Sequence, residues 1–542
     1  MTDAPNQMPF PDDLSKTSGM PHQNSQQVWI EIGVAVAAFI AFCVAILLKN
    51  NQLLEPDDYA YRASIVALSQ GHLALTTTQY HALSAQVGGI QQWVQLPNGT
   101  WISEKNPGYP FYAVIFDWLH ALRFAPLFAG GFASVSLFIA ARKWLGKWAG
   151  MYAVLFFLAS GMAMAFAYRA TMPTFTDASF VAAGAGAVLW AMISLDASDK
   201  RRTIIGLLGF FCIEIAVSMR YTDVVMLIVA VAAILIGYKP AKLRRSLVAM
   251  WMGSVLLFGG AILLFDELVY GSPTKTGYAN GEITFSLGAI WPNLHHMPNL
   301  LVRSVPALIL AFAALAWIAV RLIRSRLRSV NQNFADAARR DGLVALFLAA
   351  GWLGLWSLYL AYNWTAQMGG GVMPGIGKLY PGMNPSGGAL PSGLKLPSGV
   401  KLPALHSGIH IGAMHLNGAG GGIHLIRFYA PAIGLIALLA TWFVMQLPRW
   451  IAPLLAVAAV VTAYGSFDTL IAGGGMPGGG IPGASGNLVP GGQPIPGGLT
   501  PPSGNKAYLP MPPGGYRPPN GQLGPPGSGA GSTTPGGTLP GR

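Results

Sequence analysis

A 542-residue chain with 53% apolar and only 10% charged side chains, and a mean hydropathy of +0.47, is excluded from the soluble globular and the highly charged disordered classes. Its formal charge of +13 does not indicate a nucleic-acid partner, because the cations cluster in short loops between apolar runs, the pattern of a membrane topology signal. The two cysteines, Cys43 and Cys212, both lie inside apolar runs and exclude a disulfide framework.

The polar stretch 1–27 lacks a basic leader and reads as a cytoplasmic disordered stub ahead of a retained first helix. Apolar runs near the length that crosses a bilayer follow at about 28–48, 122–141, 148–168, 178–195, 203–219, 223–238, 246–265, 303–323, 342–362, 426–446 and 450–467. The expected fold is therefore an all-α membrane protein, a polytopic bundle of about 11 transmembrane helices. Short loops rich in Lys and Arg (Arg142 and Lys143; Lys200, Arg201 and Arg202; Arg244 and Arg245; Arg321 and Arg324) share a side with the N-terminus. The positive-inside rule then predicts a multi-pass plasma (inner) membrane protein with a cytoplasmic N-terminus and an outside C-terminus.

That topology places 49–121, 266–302 and 363–425 outside, so chemistry is expected there. Residues 58–70 have the spacing of an interfacial helix, and 111–122, with Trp118 and many aromatics, reads as a second one leading into the next span. Residues 28–467 read as one transmembrane domain, with 49–121 as its catalytic loop and 369–422 as a Gly/Pro-rich insertion. The segment 468–542 is a disordered Pro/Gly-rich tail, whose composition cannot bury a core.

Polar clusters recur on the outside face. Asp57 and Asp58 begin the first interfacial helix, where aspartate is also favoured simply by the helix dipole. Glu104-Lys105-Asn106-Pro107 closes the same loop. Thr174-Phe175-Thr176-Asp177 and Arg220-Tyr221-Thr222-Asp223 occupy short outside turns, where polar residues also serve turn formation. Tyr270-Gly271-Ser272-Pro273-Thr274-Lys275 and Arg427-Phe428-Tyr429-Ala430-Pro431 complete the set; a boundary arginine such as Arg220 or Arg427 can also snorkel to lipid headgroups.

With these motifs in this order over 28–467, the chain resembles the polyprenyl-phosphate-sugar-dependent membrane glycosyltransferases of the GT-C fold. The resemblance is to their protein O-mannosyltransferase and aminoarabinose-transferase branch, a family 39-like pattern. That family more often has Asp-Glu where this chain has Asp57-Asp58, and Lys-Pro-Pro where it has Lys105-Asn106-Pro107. The resemblance implies a polyprenyl-phosphate-linked sugar as donor, an outside-facing site in the cell envelope, and a catalytic acid in the first loop at Asp57.

Sugar transfer to a hydroxyl needs a base, and Asp57, with Asp58 beside it, is the candidate for an inverting hexosyl or pentosyl transfer. Lys105, Arg220 and Arg427 are candidates to hold the donor phosphate. Glu104, Asp177, Tyr61 and Lys275 are candidates to contact substrate. The acceptor class stays open among glycan, protein and lipid. No cofactor is assigned, and a divalent cation (Mg or Mn) bridging Asp57, Asp177 and the phosphate is an alternative. His406, His410, His415 and His424 are irregularly spaced in a Gly-rich setting and read as chance enrichment rather than a metal site. The rival function is a secondary transporter or lipid flippase. Transporters place charges at midplane, and the clear mid-segment acid here is Glu214, near one end of its run.

Overall fold

The computed structural model describes residues 25–49, 56–87, 89–90, 92–237, 241–273, 277, 284–327, 332–369 and 425–472. All belong to the first of two units, Met1–Gly479; the second, Gly480–Arg542, lies outside the described residues, as does nearly all of the 369–422 insertion.

Helix α1 (Ser25–Leu47) leads into a layer of shorter elements: α2 (Pro56–Ser69), α3 (Thr77–Val87), strands β1 (Trp93–Gln95) and β2 (Trp101–Ser103), and α4 (Gly108–Trp118). The helices expected at 58–70 and 111–122 correspond to α2 and α4. The antiparallel hairpin pairs Trp93 with Ser103 and Gln95 with Trp101. Gly99 turns it at φ +83°, and the Asn98 side chain accepts from the Thr100 backbone N–H at 3.0 Å. Val66 and Ala67 of α2, Leu83 of α3 and Trp93 form a small core here, with Tyr80 stacked on Trp101 at 4.2 Å.

The bundle continues with α5 (Ala125–Leu145), α6 (Ala149–Leu158), α7 (Gly161–Tyr168), α8 (Thr174–Ile193), α9 (Asp199–Met219) and α10 (Val224–Gly237). Next, α11 (Ala241–Ser254) runs through a π-helical turn at Val255–Gly259 into α12 (Gly260–Tyr270). Then come α13 (Ile290–Ser304), α14 (Ala307–Leu327), α15 (Gln332–Leu360) and α16 (Asn363–Gly369). A 3-10 segment, Arg427–Ala432, leads into α17 (Ile433–Val444), and α18 (Ile451–Ala472) ends the described chain.

The fold is an all-α polytopic bundle. Among the described residues nine helices are long and apolar enough to cross a membrane, or ten if α6 and α7, bent by 60°, form one span. The bend has a local cause: the Ser160 hydroxyl caps α7 by accepting from the Ala163 N–H at 3.2 Å and donates to the Ser304 carbonyl at 3.1 Å. The run expected at 223–238 forms a shorter apolar helix, Tyr221–Leu235.

The centre of the bundle is α8. Its sequence is rich in Ala and Gly, so neighbours approach on every side, and 83% of its most apolar window is buried against 22% for α1. A Cβ on Gly184 would sit 2.7 Å from the Gly209 carbonyl oxygen, and one on Gly209 would sit 3.0 Å from that of Gly184. Only residues without side chains allow α8 and α9 to meet this closely.

Ion pairs segregate to the two ends of the bundle. At one end Arg142 pairs with Glu31, Lys143 with Asp196 at 2.5 Å, and Arg321 with Asp341 at 3.1 Å, while the Trp144 indole N–H donates to Asp341 at 3.1 Å. At the other, Lys49 pairs with Asp468 at 3.1 Å, and the charged groups of the first loop gather with Arg169, Arg220 and Arg427.

Candidate active site

Pro56 opens α2, a position that needs no backbone donor, and the two aspartates follow in the first turn, where the helix dipole favours them. Their side chains diverge. Asp57 Oδ1 lies 3.1 Å from Lys105 Nζ and Oδ2 lies 2.6 Å from an Arg427 guanidinium nitrogen, with 12% of the side chain exposed. Asp58 is fully buried: one oxygen pairs with Arg169, also fully buried, and the other accepts from the Thr171 hydroxyl at 2.8 Å. One carboxylate thus faces a partly open site while its neighbour is locked into the bundle.

Lys105 is held by its backbone. Its N–H donates to the Ser103 hydroxyl at 3.2 Å, Tyr270 donates to the Ser103 carbonyl at 2.9 Å, and the Asn106 amide donates to the Met219 carbonyl at 3.2 Å. Gly277 packs against the same segment so closely that a Cβ there would lie 2.3 Å from the Glu104 Cα. The Lys105 side chain is 5% exposed, and Glu104 Oε1 stands 3.6 Å from its ammonium.

Arg427 begins the 3-10 segment, with its guanidinium over the rings of Phe428 at 4.8 Å and Trp364 at 5.4 Å. Its carbonyl accepts from Arg220 at 3.0 Å. Arg220 in turn reaches the Thr174 hydroxyl at 3.3 Å and the buried Asp177 at 3.4 Å. A continuous chain of contacts therefore runs from Asp57 through Arg427 and Arg220 to Asp177, joining α2, α8, the end of α9 and the 3-10 segment before α17. Lys105, Arg427, Asp57 and Glu104 balance to zero charge, so the locus can exchange one anion for another without leaving a cation stranded.

The sequence-predicted residues are distributed as follows. Asp57, Lys105, Glu104 and Arg427 converge on one point, and Arg220 and Asp177 adjoin it through the Arg427 carbonyl. Asp58 faces the bundle instead. Tyr61 is buried edge-to-face against Tyr109 at 5.8 Å. Lys275, His406, His410, His415 and His424 lie outside the described residues. Thr174 and Asp177 belong to the first turn of α8 rather than to a loop, because Pro173 serves as the N-cap and the connecting turn is finished by that point.

Among the described residues no group of three or more His, Cys, Asp and Glu side chains could hold a metal ion. Asp57 faces Lys105 and Arg427, and Asp177 faces Arg220, so the donor set does not fit a divalent cation bridging the two carboxylates.

No protein-family model matches the chain, and no curated protein does. Several solved structures are similar to it. ArnT from Cupriavidus metallidurans bound to undecaprenyl phosphate is 16% identical, with 78% of each chain covered and a TM-score of 0.37. The Archaeoglobus fulgidus oligosaccharyltransferase in its apo form is 11% identical, with 82% of this chain and 56% of that one covered and a TM-score of 0.44. The same oligosaccharyltransferase in complex with Zn and sulfate is 13% identical over 81% of this chain and 53% of that one, with a TM-score of 0.40.

Sequence reasoning passed over Arg169 and Thr171, which hold Asp58, and Trp364, and it gave no role to Phe428 beside Arg427. An arginine directly after the apolar run 148–168 was the available signal for Arg169. Tyr109 also belongs to this frame: its hydroxyl donates to the Ala170 carbonyl, and burial pushes its phenol well above the usual range, keeping it a donor. It fixes α4 to the turn that carries Arg169 and Thr171.

Proposed function

We propose that the chain is a membrane glycosyltransferase that takes a sugar from a polyprenyl-phosphate donor and transfers it to an acceptor hydroxyl on the outer face of the plasma membrane. The observation that carries this reading is the Asp57 carboxylate held between Lys105 at 3.1 Å and Arg427 at 2.6 Å, at one end of a lipid-facing bundle. A single carboxylate between two fixed cations is suited to a reaction in which an anionic leaving group and a proton must be handled side by side.

In the resting site Lys105 and Arg427 neutralise Asp57. An arriving donor phosphate competes for the same two cations and draws them from the carboxylate, leaving its oxygens open to accept a proton. The acceptor oxygen then forms a bond to the anomeric carbon, its proton passes to Asp57, and the bond from that carbon to the phosphate oxygen breaks. Attack opposite the leaving phosphate inverts the anomeric centre. Lys105 and Arg427 take up the charge that grows on the lipid phosphate, and loss of one such group costs about 10²–10³ in rate. Arg220 orients Arg427 through its carbonyl, and Asp58 is assigned the job of holding the start of α2 rather than touching substrate.

The test is equilibrium binding of polyprenyl phosphate, the expected product, to purified protein. Lys105→Ala and Arg427→Ala weaken it by about tenfold or more each, as expected for a hydrogen bond to a charged group. Asp57→Asn strengthens it, because the competing carboxylate charge is gone, while abolishing turnover. Binding by both cation variants equal to wild type removes the phosphate from this site.

A further inference from the structure

A cavity of about 470 Å3 lies beside this site and is not used by the proposed reaction. It is lined by Arg62, Asp117, His120, Arg123, Phe124 and Thr171. Thr171 is the residue that bonds Asp58, so the cavity backs onto the frame of the first site.

Its cations are fixed. Arg62 on α2 is gripped by Asp117 on α4 at 2.7 Å. Arg123 donates to three carbonyls at the end of α1, those of Ile46 at 3.1 Å, Leu47 at 3.0 Å and Lys49 at 2.5 Å. Arginines that merely snorkel to headgroups trail loose side chains into the interface, and neither of these does. The lining carries Arg62 and Arg123 against one carboxylate, Asp117, leaving net positive charge.

The third basic residue stands where a side chain is costly. His120 ends α4 at φ +53°, with its own N–H bonded to Asp117 and that of Ala121 bonded to Phe116, the helix-ending arrangement in which glycine is the usual occupant. An imidazole is kept at the rim of the cavity at a position glycine would fill without strain.

The surroundings identify the ligand. The apolar run Leu122–Leu145 starts at the cavity and α1 ends at it, which sets the cavity at the level of lipid headgroups. Below it Phe124, Phe128, Phe132, Val135 and Ile139 are all exposed and follow the i, i+4, i+3 spacing of one helix face. We infer that this cavity binds the phosphate headgroup of an anionic membrane lipid, with Arg62, Arg123 and His120 around the phosphate and an acyl chain along the Phe124–Phe128–Phe132 face.

The test reads lipid retention and is independent of sugar transfer. Full-length protein stripped of lipid in a zwitterionic detergent is incubated with phosphatidic acid or with phosphatidylcholine of the same acyl chains, and bound lipid is counted by native mass spectrometry. Phosphatidic acid is retained over phosphatidylcholine, and Arg62→Gln weakens its binding by about tenfold, the loss of one charged hydrogen bond. Asp117→Asn acts in the opposite direction and strengthens it, so the test survives if Arg62→Gln fails to fold. Equal retention of both lipids, or wild-type retention by both variants, overturns the inference. Displacement of the lipid by inorganic phosphate of equal affinity also overturns it, assigning the cavity to a soluble anion.

Discussion

Replacing Asp58 by Asn removes the charge that faces Arg169 at a point where both side chains are fully buried. Breaking a buried pair by removing one partner costs about 3–5 kcal/mol, because the remaining ion keeps its desolvation penalty and loses its attraction. The Asn amide oxygen can still accept the bond from Thr171, so the loss is one of charge and falls in the lower half of that range, about 3–4 kcal/mol. Asp57→Asn differs. Lys105 retains Glu104 at 3.6 Å and Arg427 retains its two rings, so the stability loss is about 1–2 kcal/mol. Thermal unfolding of the two variants in one detergent, followed by tryptophan fluorescence, separates them: Asp58→Asn unfolds well below wild type and Asp57→Asn close to it. The double variant Asp58→Asn with Arg169→Met recovers much of the loss, since it leaves no stranded ion. A wild-type midpoint for Asp58→Asn would refute the structural role given to this pair.

Further outcomes follow from the same contacts. Gly184→Ala forces a Cβ to 2.7 Å from the Gly209 carbonyl and should cost about 1–3 kcal/mol, read as earlier heat aggregation. Arg427→Lys keeps the charge but loses the planar fork over Trp364 and Phe428, so polyprenyl phosphate binds more weakly than to wild type yet more tightly than to Arg427→Ala. Gly99→Val strains the hairpin turn at φ +83° by about 1–2 kcal/mol, and limited proteolysis should then cut between β1 and β2 sooner than in wild type.

The spanning helices were legible because apolar runs of bilayer length leave few alternatives, α2 because 58–70 repeats with helical spacing, and α4 because 111–122 is rich in interfacial aromatics. Helix α3 and the hairpin were not read, although Asn98-Gly99 between two Trp-bearing segments is a turn signal with a physical cause. Three-residue strands are too short to show alternation. Of the candidate residues, the convergence of Asp57, Glu104, Lys105 and Arg427 matches the sequence reading, and the separate surroundings of Asp58 do not. Asp57 and Asp58 are neighbours in sequence, and only the partners brought by Arg169, Thr171, Lys105 and Arg427 distinguish them. Such partners lie more than a hundred residues away for Asp58, and for Asp57 they stand at the far end of the same loop (Lys105) and across most of the chain (Arg427), where local pattern carries no information. The contact of Arg427 with Trp364 was hidden for the same reason, since Trp364 lies on the far side of the 369–422 insertion.

The most direct measurement is release of free polyprenyl phosphate from a radiolabelled polyprenyl-phosphate-mannose pool, alongside other sugar donors, by purified wild-type protein and by Asp57→Asn with a crude acceptor extract. Release by the wild type and none by a folded Asp57→Asn is the predicted result. Equal release by the two proteins would remove Asp57 from the chemistry, and release by neither with any donor would contradict the glycosyltransferase assignment itself.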